Sequence, residues 1–161
     1  MAPLKEKGDL AELIVAADLA KRGWEIAVPW GENSDFDLIA CRGEELERVQ
    51  VKYAGATTDI VVVRCQSHSL TNGRVRQTKK YTPAMIDWIA VYHEPSDRCF
   101  YVPASELGAG RARLHLRLSP SLNNQRTGIR NAEDYTEFGG VMEPAGLEPA
   151  ASDLQSRRSP S

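Results

Sequence analysis

Glu12, Asp37, Gln50 and Lys52, spread over the first third of the chain, are residue types that together could break a phosphodiester. Carboxylates hold hard divalent cations, and a lysine beside them can orient water or steady a phosphate. Each position also has a plainer reading. Glu12 suits the rim of a helix, its stem packed and its head in water. Asp37 suits a turn after Gly31-Glu32-Asn33-Ser34, and Gln50 and Lys52 suit the wet face of a half-buried strand. The order is more telling than any one residue: a helix with Glu, a strand opened by Asp, then a strand with Gln-x-Lys.

Three elements must position these groups. A helix is predicted over Lys7–Arg22, stopped by Gly23. At about 100° per residue, Lys7, Ala11, Asp18 and Arg22 gather on one side. Leu13, Ala16, Leu19 and Ala20 gather on the other, with Glu12 among them, so Glu12 is expected in a core-facing stripe. A carboxylate there is costly unless it is paired or binds a metal. Strands are predicted at Glu25–Val28, Asp37–Cys41 and Glu47–Tyr53, with Asp59–Cys65 as a fourth that completes a mostly antiparallel meander. In the third strand Val49, Val51 and Tyr53 share one face, and Arg48, Gln50 and Lys52 share the other. Further on come a turn at Pro83–Met85, strands Ile86–His93 and Cys99–Pro103, a brief helix Ala104–Leu107, and a strand in which Arg113, His115 and Arg117 alternate with leucines.

The composition bounds the class. A chain of 161 residues with 42% hydrophobic and 26% charged residues fits one globular core. No apolar run reaches the roughly 18 residues of a membrane span, and no secretory h-region opens the chain. We therefore expect no membrane partner and a cytoplasmic location, at the nucleoid when bound to DNA. Cys41, Cys65 and Cys99 lack C-x-x-C spacing and are expected as reduced thiols. The net charge of −2 hides a segregation. Residues 1–47 carry 5 basic and 11 acidic side chains, whereas residues 48–80 carry Arg48, Lys52, Arg64, Arg74, Arg76, Lys79 and Lys80 against Asp59. Arg111, Arg113, Arg117, Arg126 and Arg130 form a third, acid-free stretch. Basic stretches from separate elements can unite into a phosphate-binding surface. The polar segment 66–82, with Asn72-Gly73 as its turn, is expected as a DNA-contacting hairpin or lid. Its candidate contacts, with the end of the preceding strand, are Arg64, Gln66, Ser67, His68, Arg74, Arg76, Lys79 and Lys80.

The order of these motifs resembles the PD-(D/E)xK nuclease superfamily, and within it the group I intron homing endonucleases of cyanobacterial type. The resemblance spans about residues 5–136. It is carried by Gly8-Asp9-Leu10-Ala11-Glu12, Lys21-Arg22-Gly23-Trp24, Phe36-Asp37-Leu38-Ile39, Arg48-Val49-Gln50-Val51-Lys52, Tyr101-Val102-Pro103, Asn123-Asn124-Gln125-Arg126-Thr127-Gly128-Ile129-Arg130 and Ala132-Glu133-Asp134-Tyr135. It implies an α/β restriction-endonuclease-like core: an N-terminal helix, then a mixed, mostly antiparallel β-sheet with flanking helices. It also implies Mg²⁺-dependent hydrolysis of double-stranded DNA, with Mn²⁺ as a possible substitute, by a homo-oligomer, a dimer or a tetramer. Asp37 would be the main metal ligand, Glu12 would complete or support the site, and Gln50 would coordinate through its amide oxygen or hold a metal-bound water. Lys52 would orient or deprotonate the attacking water. Gln50 departs from the superfamily's usual carboxylate, which leaves two carboxylates per site. Asp35 is a substitute ligand one pleat away. A repair or junction-resolving nuclease, or a DNA-binding protein without catalysis, are the alternative readings.

The nuclease domain is expected over residues 1–138. Residues 139–161 are rich in Gly, Pro, Ser and Ala, without periodicity, and are expected to be disordered. Gly146–Pro149 and Ser152–Arg157 back-translate to segments resembling the reverse complement of a tRNA T-loop and anticodon arm. The tail thus reads as a frame that has run into a tRNA gene.

Overall fold

The computed structural model describes residues 3–120 and 128–139. Helix α1 spans Leu4–Lys21 and buries Ala11, Val15 and Leu19, a stripe spaced by four residues. This corrects the expected orientation, because Leu13 is 70% exposed and Ala11, placed on the polar side, is in the core. The reason lies in Asp18 and Arg22. The Tyr101 hydroxyl donates to Asp18 Oδ2, and Arg22 lies 5.0 Å over the Tyr101 ring while its Nη1 donates to the Thr136 carbonyl at 2.7 Å. Two residues that read as solvated are therefore used in tertiary contacts. Glu12 stands at the flank of the buried stripe, half-buried.

α1 packs on a five-stranded sheet ordered β1-β2-β3-β7-β8. Its strands are β1 (Glu25–Ala27), β2 (Leu38–Arg42), β3 (Glu45–Ala54), β7 (Trp88–His93) and β8 (Arg98–Pro103). β3 and β7 run parallel and the other neighbours antiparallel, so the sheet is mixed. β7 is buried on both faces, as a central parallel strand of continuous apolar character should be. The fourth predicted strand does not complete the meander. It is β4 (Ile60–Arg64), and it pairs with β9 (Arg113–Arg117) in a second sheet, β10-β9-β4, where β10 is Arg130–Asn131. Its alternating burial suits a strand covered on one face only, not one wedged beside β3.

The sheet thus has two covered faces. Val49, Val51, Ala90, Tyr92 and Tyr101 meet α1, while Ile89, Val91, Phe100 and Val102 meet Val61, Val63, Leu114 and Leu116 of the second sheet. Among the described residues α1 is the one α-helix, and the second face is layered by strands. Phe138 closes the α1 side, with its ring centroid 4.9–5.2 Å from those of Trp88, Trp24 and Tyr101. Gly139 follows at φ +87°, where a Cβ would stand 2.5 Å from the Trp24 ring, so a side chain there would collide.

Between β4 and β7 lies a hairpin, β5 (Gln66–Thr71) and β6 (Arg74–Lys80). Asn72 and Gly73 both have positive φ, 54° and 75°, the backbone a two-residue type I′ turn requires. The Tyr81 amide donates to the Cys65 carbonyl at 3.0 Å and closes its base. Among the described residues no helix is long and apolar enough to cross a membrane. Residues 121–127 and 140–161, and with them most of the Asn123–Arg130 match and nearly all of the expected tail, lie outside the described residues.

Candidate active site

Asp37 is held by the start of the β2–β3 ladder. Its backbone amide donates to the Val49 carbonyl at 2.9 Å, one residue before β2 begins. Beyond that point β3 has no β2 backbone opposite it, and the Asp37 side chain takes the vacant acceptor role. Oδ2 accepts from the Val51 amide at 2.9 Å and from Gln50 Nε2 at 2.7 Å. Burial raises the Asp37 carboxyl, and the Val51 amide and Lys52 pull it down less strongly. A half-buried carboxylate so held is pre-aimed rather than free to swing.

Gln50 is 8% exposed and pairs with Ile89, on the sheet face that meets the second sheet. Its Nε2 donates to Asp37 and to the Val51 carbonyl, the latter at 3.3 Å. With both N–H groups so used, the amide oxygen is the atom left to meet a hard cation. Lys52 lies two residues on, on the same face. Its Nζ is 3.5 Å from the Tyr81 hydroxyl and 5.0 Å from the centre of that ring. Burial lowers the Lys52 ammonium, Asp37 offsets this in part, and Arg64 lowers it further. Glu12 approaches from α1. Burial, then the Asp37 charge, then Asp9, push its carboxyl up to about 6. The two predicted carboxylates therefore sense each other across the helix–sheet junction, and the structure brings Glu12, Asp37, Gln50 and Lys52 into one neighbourhood.

The donor set fits a divalent cation: two desolvated, mutually repelling carboxylates and an amide oxygen, all hard ligands. Among the described residues no group of three or more His, Cys, Asp and Glu side chains is placed to hold a metal. Here an amide stands where a third carboxylate would count.

Asp35, the substitute ligand, is occupied differently. Its carboxylate pairs with Lys79 of the hairpin. This pair spans a cleft of about 280 Å³ between the segment Glu32–Asp35 and one face of the hairpin. Ser67, Ser69, Gln77 and Lys79 line that face, and Tyr81 joins the cleft to Lys52. The strand register explains the selection, since Ser67 pairs with Lys79 and Ser69 with Gln77. Gln66, His68 and Lys80 belong to the opposite face, where His68 Nδ1 meets the Thr78 hydroxyl at 2.9 Å. Of the predicted DNA contacts, Ser67 and Lys79 therefore turn to the site. Arg64 ends β4 near Lys52, Arg74 is exposed at the hairpin turn, and the Arg76 side chain lies outside the described residues. Sequence reasoning missed Tyr81, Gln77 and Ser69. The alternation of Ser67, Ser69, Gln77 and Lys79 about the Asn72-Gly73 turn was the available signal for the last two.

A family model described as PD-(D/E)XK endonuclease matches residues 3–138. No curated protein matches the chain. Among solved structures, the bacterial homing endonuclease I-Ssp6803I superposes with a TM-score of 0.66 at 23% identity, covering 96% of this chain and 99% of that one. The Holliday junction resolvase Hjc of Archaeoglobus fulgidus gives a TM-score of 0.43 at 14% identity, over 69% of this chain and 84% of its own.

Proposed function

The chain belongs to the PD-(D/E)XK endonuclease family, and from that premise we propose that it is a Mg²⁺-dependent endodeoxyribonuclease of homing type. Its substrate would be double-stranded DNA, which puts its action at the nucleoid in the cytoplasm, and its working form a homo-oligomer. The observation that supports this reading best is the Asp37–Gln50–Lys52 arrangement: a clamped carboxylate, an amide whose oxygen is left for coordination, and a half-buried lysine whose ammonium pKa is lowered by burial. The homing assignment leans on the Gln-x-Lys strand and the Asn123–Arg130 to Glu133-Asp134-Tyr135 segments.

Asp37, Glu12 and the Gln50 oxygen would hold Mg²⁺, with Mn²⁺ as a substitute. When bound, the ion supplies Lewis-acid polarisation of the phosphate and lowers the pKa of water. Lys52 sets the direction of attack. It orients a water toward phosphorus and donates to the phosphoryl oxygen as charge accumulates there. Its lowered ammonium pKa brings proton exchange with that water closer to neutral pH. Tyr81 holds the lysine stem and head in place. As the water oxygen bonds to phosphorus, the bond from phosphorus to one sugar oxygen breaks, and that oxygen takes up a proton. Arg64, Arg74, Lys79 and Lys80 would neutralise flanking phosphates.

A random duplex library incubated with protein and Mg²⁺ tests the reading, with Lys52→Ala as control. The expected result is double-strand cuts at a recurrent site. Lys52→Ala should slow cutting by about 10²- to 10⁴-fold while still binding DNA in Ca²⁺. Preference for a four-way junction over every linear duplex would replace the homing assignment with junction resolution. Binding without cutting in Mg²⁺ or Mn²⁺ would reduce the protein to a DNA-binding module.

A further inference from the structure

The outer face of the second sheet carries charge that the active site does not use. Val61, Val63, Leu114 and Leu116 point inward to the first sheet, so the alternate residues of β4 and β9 point outward. The register sets Arg64 opposite Arg113, Val62 opposite His115 and Ile60 opposite Arg117. Along β9, Arg113, His115 and Arg117 form a column with steps of about 7 Å. Neither strand contains an acidic residue.

The arginines of this face differ from others in the fold. Arg22, Arg42, Arg48, Arg98 and Arg130 each pair with a carboxylate. Among the described residues Arg64, Arg113 and Arg117 pair with none, and Arg117 Nε is buried without a hydrogen-bond partner. Like charges set directly opposite in a sheet cost stability. Among the described residues no carboxylate offsets the Arg64–Arg113 pair, whereas an anion from outside would.

Position decides which anion. β4 packs beside β3, and the Arg64 charge is felt by the Lys52 ammonium. The Arg64–Arg113 row therefore borders the active site, and the β9 column leads away from it. A duplex whose scissile phosphate reaches Lys52 brings its neighbouring phosphates to this border. The column, about 14 Å long, matches about four phosphate steps along one strand, at about 3.4 Å each. A protein partner fits less well. Protein interfaces have an apolar centre depleted of charge, and Ile60, 37% exposed, is the one large exposed hydrophobic residue on this face among the described residues.

We infer that Arg64, Arg113, His115 and Arg117 form a track for the phosphate backbone of the DNA arm beyond the cut site. The inference rests on the nuclease reading. Phosphate contacts fix register and carry no sequence information directly. The track would therefore lengthen the bound target without narrowing its sequence.

Two lengths of one DNA test this. The short duplex is the smallest that the parent selects from a random library and cuts. The long one adds a helical turn, about 10 bp, of arbitrary sequence at each end. Both are held uncut in Ca²⁺, and fluorescence anisotropy gives affinity across a salt series. The parent should bind the long duplex more tightly and with the steeper salt dependence. The double variant Arg113→Ala/Arg117→Ala should lose most of that preference, its log–log salt slope on the long duplex falling by about two. Arg113→Lys/Arg117→Lys should keep the preference, because phosphate neutralisation needs the charge. Arg113 is exposed, so Arg113→Ala carries the test alone if the pair melts early, with a slope lower by about one. Without DNA, Arg113→Ala should melt no earlier than the parent, because it relieves the opposition to Arg64. A parent that cuts DNA but is indifferent to arm length overturns the track and leaves the nuclease reading standing. Parent-like length preference and slope in the alanine variants do the same. A change in oligomer size by light scattering, with DNA affinity unchanged, gives the face to a second copy and also overturns the track. A parent that selects no duplex overturns both.

Discussion

With Gln50 Nε2 only 2.7 Å from Asp37 Oδ2, a glutamate at position 50 would bring a second carboxylate against the first. The amide turns that contact into a hydrogen bond. Gln50→Glu should therefore melt earlier than the parent in EDTA, and Mg²⁺ should raise its melting temperature more than the parent's, because a cation would relieve the repulsion. It should retain part of the cleavage activity, whereas Gln50→Leu, with no oxygen to offer, should be inactive. Equal activity of the leucine variant places Gln50 outside the chemistry. A second comparison separates the two aspartates. Asp37→Asn should abolish cleavage and the Mg²⁺-dependent tightening of DNA binding. Asp35→Asn, which loses a half-exposed ion pair with Lys79, should stay active within a few fold. The reverse pattern in a gel cleavage assay would show Asp35 to be the ligand. Glu12, Asp37, Gln50 and Lys52 were legible in the sequence as candidates because types and order suffice to name them. Tyr81 was not, because its partner Lys52 lies far away in the chain and only the hairpin's closure brings them together.

At the scale of elements, Asp87 joins the edge of β7 to β3. Arg48 donates to its Oδ2 from the backbone amide at 2.8 Å and from Nε at 3.0 Å, and to Oδ1 from Nη2 at 3.1 Å. Two other Arg48 bonds reach the carbonyls of Ala84 and Pro83, so one arginine seats the turn that starts β7. Burial raises the Asp87 carboxyl, but the bonds and charge of Arg48 lower it by more. A depressed folded value means the stabilisation is fully present above the unfolded value near 4 and is lost as pH falls through the folded one. Asp87→Asn should cost about 1 kcal/mol at neutral pH, since the pair is partly solvated and screened. Its melting temperature should converge on the parent's as pH drops below about 4; a gap that stays constant with pH would deny the linkage. Element positions were largely readable from periodicity and turn residues: β2, β3, β7, β8 and β9 fall close to their predicted ranges. Two things were not. The buried side of α1 depends on Asp18 and Arg22 reaching Tyr101, and the partner of β4 depends on β9, nearly fifty residues later. Local pattern is blind to both.

At the scale of the whole molecule, the segregated charge meets across the cleft, where Asp35 of the acidic segment pairs with Lys79 of the basic hairpin. The family match ends at residue 138, where Phe138 completes the aromatic cluster. Residues 141–161 offer few large apolar side chains, only Val141, Met142, Leu147 and Leu154, against an ordering cost of roughly 1–2 kcal/mol per residue. A variant ending at Gly140 should match the parent in melting temperature, oligomer size and cleavage rate. A clear fall in any of these, by calorimetry, light scattering or gel assay, would make the tail structural. Arg157 and Arg158 would at most add binding that salt removes.

The bond from the Tyr81 amide to the Cys65 carbonyl means that the two ends of the hairpin leave and rejoin the body of the protein side by side. The turn end of the hairpin, beyond the Lys79–Asp35 pair, can change length without moving either endpoint, and doubling a loop costs only about 0.6 kcal/mol in closure entropy. If the hairpin meets DNA as proposed above, it is the part of the chain that could be exchanged for a new target while the strands bearing Asp37, Gln50 and Lys52 stay in place.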